Sequence, residues 1–390
     1  MSDNNLDEIL TRGVTGVTVK ESLFKKLQSG KKLRIKLGID PTGPSIHLGR
    51  AIPLRKLRDF QKMGHKAVLV VGDFTALIGD PSDKLEKRPM LTKESVKENM
   101  KAYKKIIGKI LDIKKTEFVY NSKWLAKLKF GEIVELAEAF SVSQMIERRN
   151  FKDRIEKGLE ISLREFMYPL MQGYDSVAIN SDVELGGFDQ LFNLHAGRTI
   201  QKHFKKEEQD IMTTEMLLGT DGRKMSTSWG NVIFITDEPK DMFGKIMSIR
   251  DEMIVDYFRL TTDEKLEEIE NIKSALEKGA NPKDYKIRLA YEIVKLYHTD
   301  EDAKEARESF TSVFSGGGIP KDAPTYKLRE GETIIESLFN AGIESKTELK
   351  RLIGAGSIKN LDTEEMVKDW NEPTKKGTYK IGKHRFLKII

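Results

Sequence analysis

Cysteine is absent from the 390 residues, which excludes disulfides, thiolate nucleophiles, iron–sulfur clusters and cysteine zinc sites. Histidine is scarce, at six residues, so no metal site is assigned. Long apolar runs are missing too. The longest is Ala67–Val71, far short of the roughly 20 residues that span a bilayer. Residues 1–13 are polar and acidic, without the basic flank and apolar core of a signal peptide. Together these features predict a cytoplasmic chain with no membrane association. A strong charge of one sign is also lacking: 67 Lys+Arg against 61 Asp+Glu leave +6. That balance permits a nucleic-acid partner without indicating one.

What is present suffices for folded cores, with 38% hydrophobic residues. The length exceeds one domain of about 150 residues. The first half alternates strand and helix. Arg34–Ile39 is a short extended run that stops at the turn cluster Asp40-Pro41-Thr42-Gly43-Pro44, which no regular element continues through. Leu48, Ile52, Leu54, Leu57, Phe60 and Met63 then recur at helical spacing, with Gly64 as the stop. Ala67–Val71 reads as a strand buried on both faces. Residues 95–111 read as a helix, and 116–120 as the next strand. This order predicts an α/β class, a Rossmann-like doubly wound parallel sheet. From residue 237 the pattern turns helical, with Tyr285, Leu289, Ile293 and Leu296 forming one stripe. Gly316-Gly317-Gly318 and Pro320 mark a linker. A short, basic α+β unit follows. The expected division is a catalytic domain at 1–236, a helical domain and linker at 237–318, and a small domain at 326–390.

Two segments carry chemistry. In the first, a strand ends in a Gly/Pro turn, and His47 and Gly49 open a helix. A helix start presents unpaired N–H groups to anions. A histidine there can donate to phosphate, and a glycine admits a flat ring. The second, Asp221-Gly-Arg-Lys-Met-Ser-Thr-Ser228, gathers cations and hydroxyls that suit a departing pyrophosphate. Either alone is a common pattern: a capping histidine, or a solvated turn.

In this order and at this separation, His-x-Gly and Lys-Met-Ser-x-Ser resemble the paired signatures of class I aminoacyl-tRNA synthetases. Gly79-Asp-Pro-Ser82, Tyr168-Pro-Leu-Met-Gln172-Gly-Tyr174-Asp175 and Gly186-Gly-Phe-Asp-Gln190 resemble the tyrosine-pocket segments of the bacterial tyrosyl-tRNA synthetases. The resemblance implies formation of tyrosyl-adenylate from L-tyrosine and ATP, with Mg2+ accompanying the ATP, and transfer of tyrosine to tRNA(Tyr). It assigns Asp80, Tyr168 and Gln172 to the substrate ammonium, acceptors all. Asp175 takes the phenol, with Asp40, Gln190 and Lys36 around the same tyrosine. For Tyr174, plain core packing is the better expectation. Gly38, His47, Gly49, Gly187, Asp189, Lys224, Met225 and Thr227 would hold ATP. Thr42, His47, Arg50, Lys84, Arg88, Lys224 and Thr227 would act on the phosphates. None is a nucleophile; catalysis would be positioning and charge stabilisation.

The chain departs from the family pattern in several places. Arg50 stands where the first signature usually ends in His, and Thr227 where the second usually carries a second lysine. One cation is gained as another is lost, so Arg50 is expected to compensate for Thr227. Lys36 stands where many bacterial members have a Tyr that shares the substrate phenol. Phe188 and Asp83 are further local differences. Residues 326–390 resemble an S4 RNA-binding domain, with Lys346, Lys350, Arg351, Lys359, Lys383, Arg385 and Lys388 as one basic face toward tRNA. The family likeness also implies a homodimer, with a helical interface insertion near 125–160. A tryptophanyl relative, a small-molecule nucleotidylyltransferase and a non-catalytic RNA-binding protein remain rival readings.

Overall fold

The computed structural model describes residues 3–81, 91–315, 323–382 and 385–390. Lys84, Arg88 and Lys383, with Asp83 and the Gly316–Gly318 linker, lie outside the described residues. The chain divides into two compact units. One comprises Met1–Glu238 with Lys245–His298, the other Pro239–Gly244 with Thr299–Ile390.

The first unit is built on a six-stranded sheet: β1 (Val14–Thr18), β2 (Arg34–Ile39), β3 (Lys66–Val71), β4 (Glu117–Tyr120), β5 (Val183–Gly187) and β6 (Asp210–Thr214). Their order is β1-β6-β5-β2-β3-β4. All pairs are parallel except β1 with β6. The chain runs outward from β2 through β3 to β4, then returns to β5 on the other side of β2. The connections therefore diverge between β2 and β5, and in such sheets the crevice opens at the carboxyl ends of those strands.

The expected helix after β2 spans Leu48–Lys62 and covers the sheet with Leu48, Ile52, Leu54, Leu57 and Phe60. The helix expected over 95–111 is Lys93–Ile107. Gly108 closes it, and the apolar Ile110 and Leu111 are buried from the following turns instead. β5 and β6 add strands that the reading of the sequence did not place. The helical stripe at 285–296 belongs to the helix Pro282–Tyr297, which buries Leu289, Ile293 and Val294.

The second unit contains a four-stranded sheet of β7 (Thr325–Tyr326), β8 (Ile358–Asn360), β9 (Gly377–Ile381) and β10 (Arg385–Ile389), ordered β7-β10-β9-β8. The helices Ile334–Asn340 and Lys346–Gly354 pack on one face of it. Ile334, Leu338, Leu349 and Ile353 meet Ile358, Tyr379, Ile381, Leu387 and Ile389 there.

Candidate active site

The two chemistry-bearing segments meet in the first unit. His47 caps the helix Leu48–Lys62, its Nδ1 accepting the Arg50 N–H at 3.3 Å. Nδ1 is thereby committed as an acceptor, so the neutral ring carries its proton on Nε2 and can donate from there. Burial, with the Arg50 and Lys224 charges adding to it, pushes the His47 pKa down to about 3; the ring is neutral at any working pH. The Gly49 N–H points at Met225 Sδ, 3.4 Å away. A side chain at position 49 would press on the His47 ring at 3.2 Å and touch Met225 at 3.7 Å. Arg50 Nη2 donates to Thr42 Oγ1 at 3.0 Å. Lys224 pairs with Asp189 at 3.0 Å.

The loop bearing Lys224 is organised by a buried asparagine. Asn231 Nδ2 donates to Asp221 Oδ1 (2.8 Å) and to the Lys224 carbonyl (3.1 Å). Its Oδ1 accepts the Ser226 N–H at 2.9 Å. Thr227 follows on the exposed side of this loop. Gly38 lies near the end of β2, and Gly187 ends β5 just before Asp189.

Several of the remaining predicted residues are joined to one another by hydrogen bonds. Tyr168, Gln172 and Asp175 are spaced by four and three on the helix Leu163–Ala178, so they share a face. Tyr168 OH donates to Asp40 Oδ2 at 2.9 Å, and Thr75 Oγ1 donates to Asp40 Oδ1 at 2.7 Å. Gly72 is required because any side chain there would overlap the Asp40 carboxylate. Withdrawal from water raises the Asp40 pKa to about 6 and holds the Tyr168 phenol protonated. Asn121 Nδ2 bridges Thr75 Oγ1 (3.0 Å) and Asp175 Oδ2 (3.3 Å), while Trp124 Nε1 donates to Asp175 Oδ1 at 2.7 Å. A continuous hydrogen-bonded chain thus runs from Asp40 to Asp175. Asp175 is buried, and burial raises its pKa to about 7 against the opposing Lys36 charge.

Asp80 accepts from Gln190 Nε2 at 2.7 Å, and the Arg148 guanidinium stands 3.6 Å away. That guanidinium lies against the rings of Phe151 and Phe192. Gln172 donates its amide N–H to Glu184 Oε1 at 3.2 Å, which leaves its carbonyl as the end able to accept. Lys36 is wholly buried and gives its ammonium to the Gln172 main-chain carbonyl (2.8 Å), Ser176 Oγ (2.7 Å) and Glu184 Oε1 (2.8 Å). Tyr174 packs among apolar neighbours, its ring 5.7 Å from that of Phe204, as expected. Among the described residues no group of three or more His, Asp or Glu is placed to hold a metal ion.

Thr75, Asn121, Trp124, Arg148 and Glu184 were not singled out from the sequence. Their only signal is position: Thr75, Asn121 and Trp124 follow β3 and β4 at the carboxyl edge of the sheet, where sites form.

The basic residues of the second unit do not share one face. Lys346, Lys350 and Arg351 are exposed on the helix Lys346–Gly354. Lys346 lies over Phe339 (5.2 Å) and Lys350 over Trp370 (5.0 Å). Lys359 and Lys388 alternate with the core-facing residues of β8 and β10, so they stand on the opposite side of the sheet from the helices. Arg385 reaches Glu344 and the Ile343 carbonyl.

The family described as tRNA synthetases class I (W and Y) matches residues 28–315 of the chain. A tyrosine–tRNA ligase of Thermotoga maritima is 46% identical over 387 residues, covering 98% of this chain and 96% of the relative. A tyrosine–tRNA ligase of Carboxydothermus hydrogenoformans is 47% identical over 400 residues, with 98% and 97% covered. Among solved structures, a C-terminally truncated mitochondrial tyrosyl-tRNA synthetase of Aspergillus nidulans superposes with a TM-score of 0.66 at 24% identity, over 80% of this chain and 93% of its own. The L-tyrosine complex of the Archaeoglobus fulgidus enzyme gives 0.62 at 22% identity, over 78% and 99%. These structural likenesses speak to the fold.

Proposed function

Because the chain belongs to the class I tRNA synthetases of the tryptophan and tyrosine group, we infer that it is a tyrosine–tRNA ligase. It joins L-tyrosine to ATP and passes the tyrosyl group to tRNA. The observation that carries this reading is the direct meeting of Gly49 with Met225, beside a crevice that ends at Asp175.

In this reading the substrate ammonium enters among Asp40, Asp80, Tyr168, Gln172 and Gln190, and the phenol donates to Asp175. The tyrosine carboxylate attacks the α-phosphorus in line, and pyrophosphate leaves. Thr42, neutral His47 through Nε2–H, Arg50, Lys224 and Thr227 stabilise the charge that moves onto the leaving oxygens. Lys84 and Arg88 are assigned the same task from the sequence. Asp189 takes a ribose hydroxyl, and Gly38, Gly49, Gly187 and Met225 line the nucleotide. Magnesium arrives on the triphosphate rather than in a protein cage. A ribose hydroxyl at the 3′ end of tRNA(Tyr) then attacks the acyl carbon, and AMP departs. Asp175, with the indole N–H and the amide already pointing at it, suits a phenol as third partner; a tryptophan indole would also donate, so the amino acid is to be tested.

The same reading proposes that Lys346, Lys350 and Arg351, exposed on the helix Lys346–Gly354, approach tRNA. It keeps the division into 1–236, 237–318 and 326–390, places the protein in the cytoplasm, and makes it a homodimer. Phe130 and Val134 on the helix Phe130–Glu138, with Val142 and Leu163, are exposed apolar residues, Phe130 and Leu163 at 81%, and such a patch fits an interface. Amino-acid-dependent ATP–pyrophosphate exchange across all twenty amino acids tests the activity. Exchange with tyrosine alone is expected; exchange with tryptophan instead overturns it.

A further inference from the structure

Lys36 lies in β2 and Glu184 in β5, adjacent parallel strands in which these two residues are register partners. Both side chains are fully buried. A charged pair withdrawn from water is costly unless every donor and acceptor is met. Here the ammonium's three hydrogens go to the Gln172 carbonyl, Ser176 Oγ and Glu184 Oε1. The carboxylate receives the Gln172 amide (3.2 Å), Ser176 Oγ (3.1 Å) and the Gln209 amide. Gly197 passes so close that a side chain there would strike Gln209, Glu184 and Ser176. The network is therefore packed on every side.

Its contacts fall on one turn of the helix Leu163–Ala178. Lys36 holds the main chain of Gln172 and the side chain of Ser176; Glu184 holds the side chains of both. Asp175 sits between them in sequence and, with Gln172, is one of the two residues assigned to opposite ends of the bound tyrosine. We propose that Lys36 and Glu184 are positioning residues that set tyrosine affinity and selectivity from beneath the pocket, by fixing this turn and by presenting a buried positive charge to Asp175, without touching the substrate. The inference rests on the tyrosine reading above. It also accounts for a lysine where a phenol-contacting tyrosine is common in the family: all its donors are spent on the protein.

The groups facing Asp175 are Trp124 and Asn121 after β4, Lys36 from β2 and Glu184 from β5; Tyr168 on its own helix senses it, together with Asp40 and Asp80. Among them Lys36 is the cation that favours the carboxylate form. A carboxylate accepts the phenol more strongly than a carboxylic acid, and a buried charge left unpaired by phenylalanine rejects it.

The test uses the full-length protein in tyrosine-dependent ATP–pyrophosphate exchange. Lys36→Met alone strands a buried carboxylate, so the informative variants are Lys36→Met/Glu184→Gln, which removes both charges, and Ser176→Ala, which removes one hold and no charge. In the double variant KM for tyrosine is expected to rise several-fold or more, because the turn at Gln172–Ser176 loses its charged holds and Asp175 its neighbouring cation. The acid limb of the profile of 1/KM for tyrosine should move to higher pH, and preference for tyrosine over phenylalanine should fall, while KM for ATP is unchanged. Ser176→Ala should raise KM for tyrosine several-fold with the limb in place. A folded double variant, or Ser176→Ala, whose tyrosine KM equals the parent's overturns the proposal. If the parent itself shows no exchange with tyrosine, the activity reading falls, and this inference with it.

Discussion

At the scale of the residue, the site holds acids under conditions that ordinary carboxylates avoid. Asp175 titrates near 7 in the fold against about 3.9 in an unfolded chain. A raised folded pKa contributes stability that is complete below about 4 and lost as pH rises through about 7. Asp175→Asn is therefore expected to be more stable than the parent at pH 8, by up to about 4 kcal/mol, and to show no gain at pH 4. Thermal melts at the two pH values decide this, and tyrosine-dependent exchange should be nearly abolished. Arg50 gives a second test. If it offsets the missing cation at Thr227, then Arg50→His and Thr227→Lys combine non-additively in exchange rate, the double variant recovering what Arg50→His loses; additive effects would reject compensation. His47 and Lys224 stood out in the sequence through the order and separation of their motifs, and Asp175 only through the family resemblance of residues 168–175. Trp124 and Asn121 did not stand out, since lone residues after a strand carry no pattern.

At the scale of the element, β2, β3 and the helix between them were readable because Ile35, Leu37 and Ile39 alternate in β2, β3 is apolar from Ala67 to Val71, and the helix keeps its apolar spacing. β5 and β6 were not, and the reason is physical. Glu184 breaks the apolar run of β5, and Asp210 opens β6, which ends in the polar Thr213 and Thr214; both acids are buried all the same. Each is neutralised by a lysine distant in sequence: Lys36 for Glu184, and Lys26 for Asp210 at 3.1 Å. A buried ion pair thus makes a core strand look like a surface one. The loop 221–231 yields a prediction of its own. Asn231→Ala removes three hydrogen bonds that shape it but leaves the sheet intact. The exchange kcat should drop at least tenfold, about the loss of one or two such bonds, with the melting temperature changed by only a few degrees. Charges placed on the exposed helix face, Val134→Glu with Val142→Glu, should give a monomer by light scattering if that face joins two copies.

At the scale of the whole molecule, the placement of the crevice follows from the strand order alone, because the connections diverge between the parallel strands β2 and β5. The second unit has its own apolar core and carries the helix-borne lysines. Ending the chain after Gly318 is expected to leave pyrophosphate exchange within about twofold of the parent. Charging of tRNA should fall by at least tenfold at physiological salt, as lost phosphate contacts dictate; full charging by the shortened chain would remove the RNA role from this unit. The contact between Gly49 and Met225 has a mechanical corollary. The helix start and the loop 221–231 bear on one another through that touch, so a substitution at either residue is transmitted to both segments.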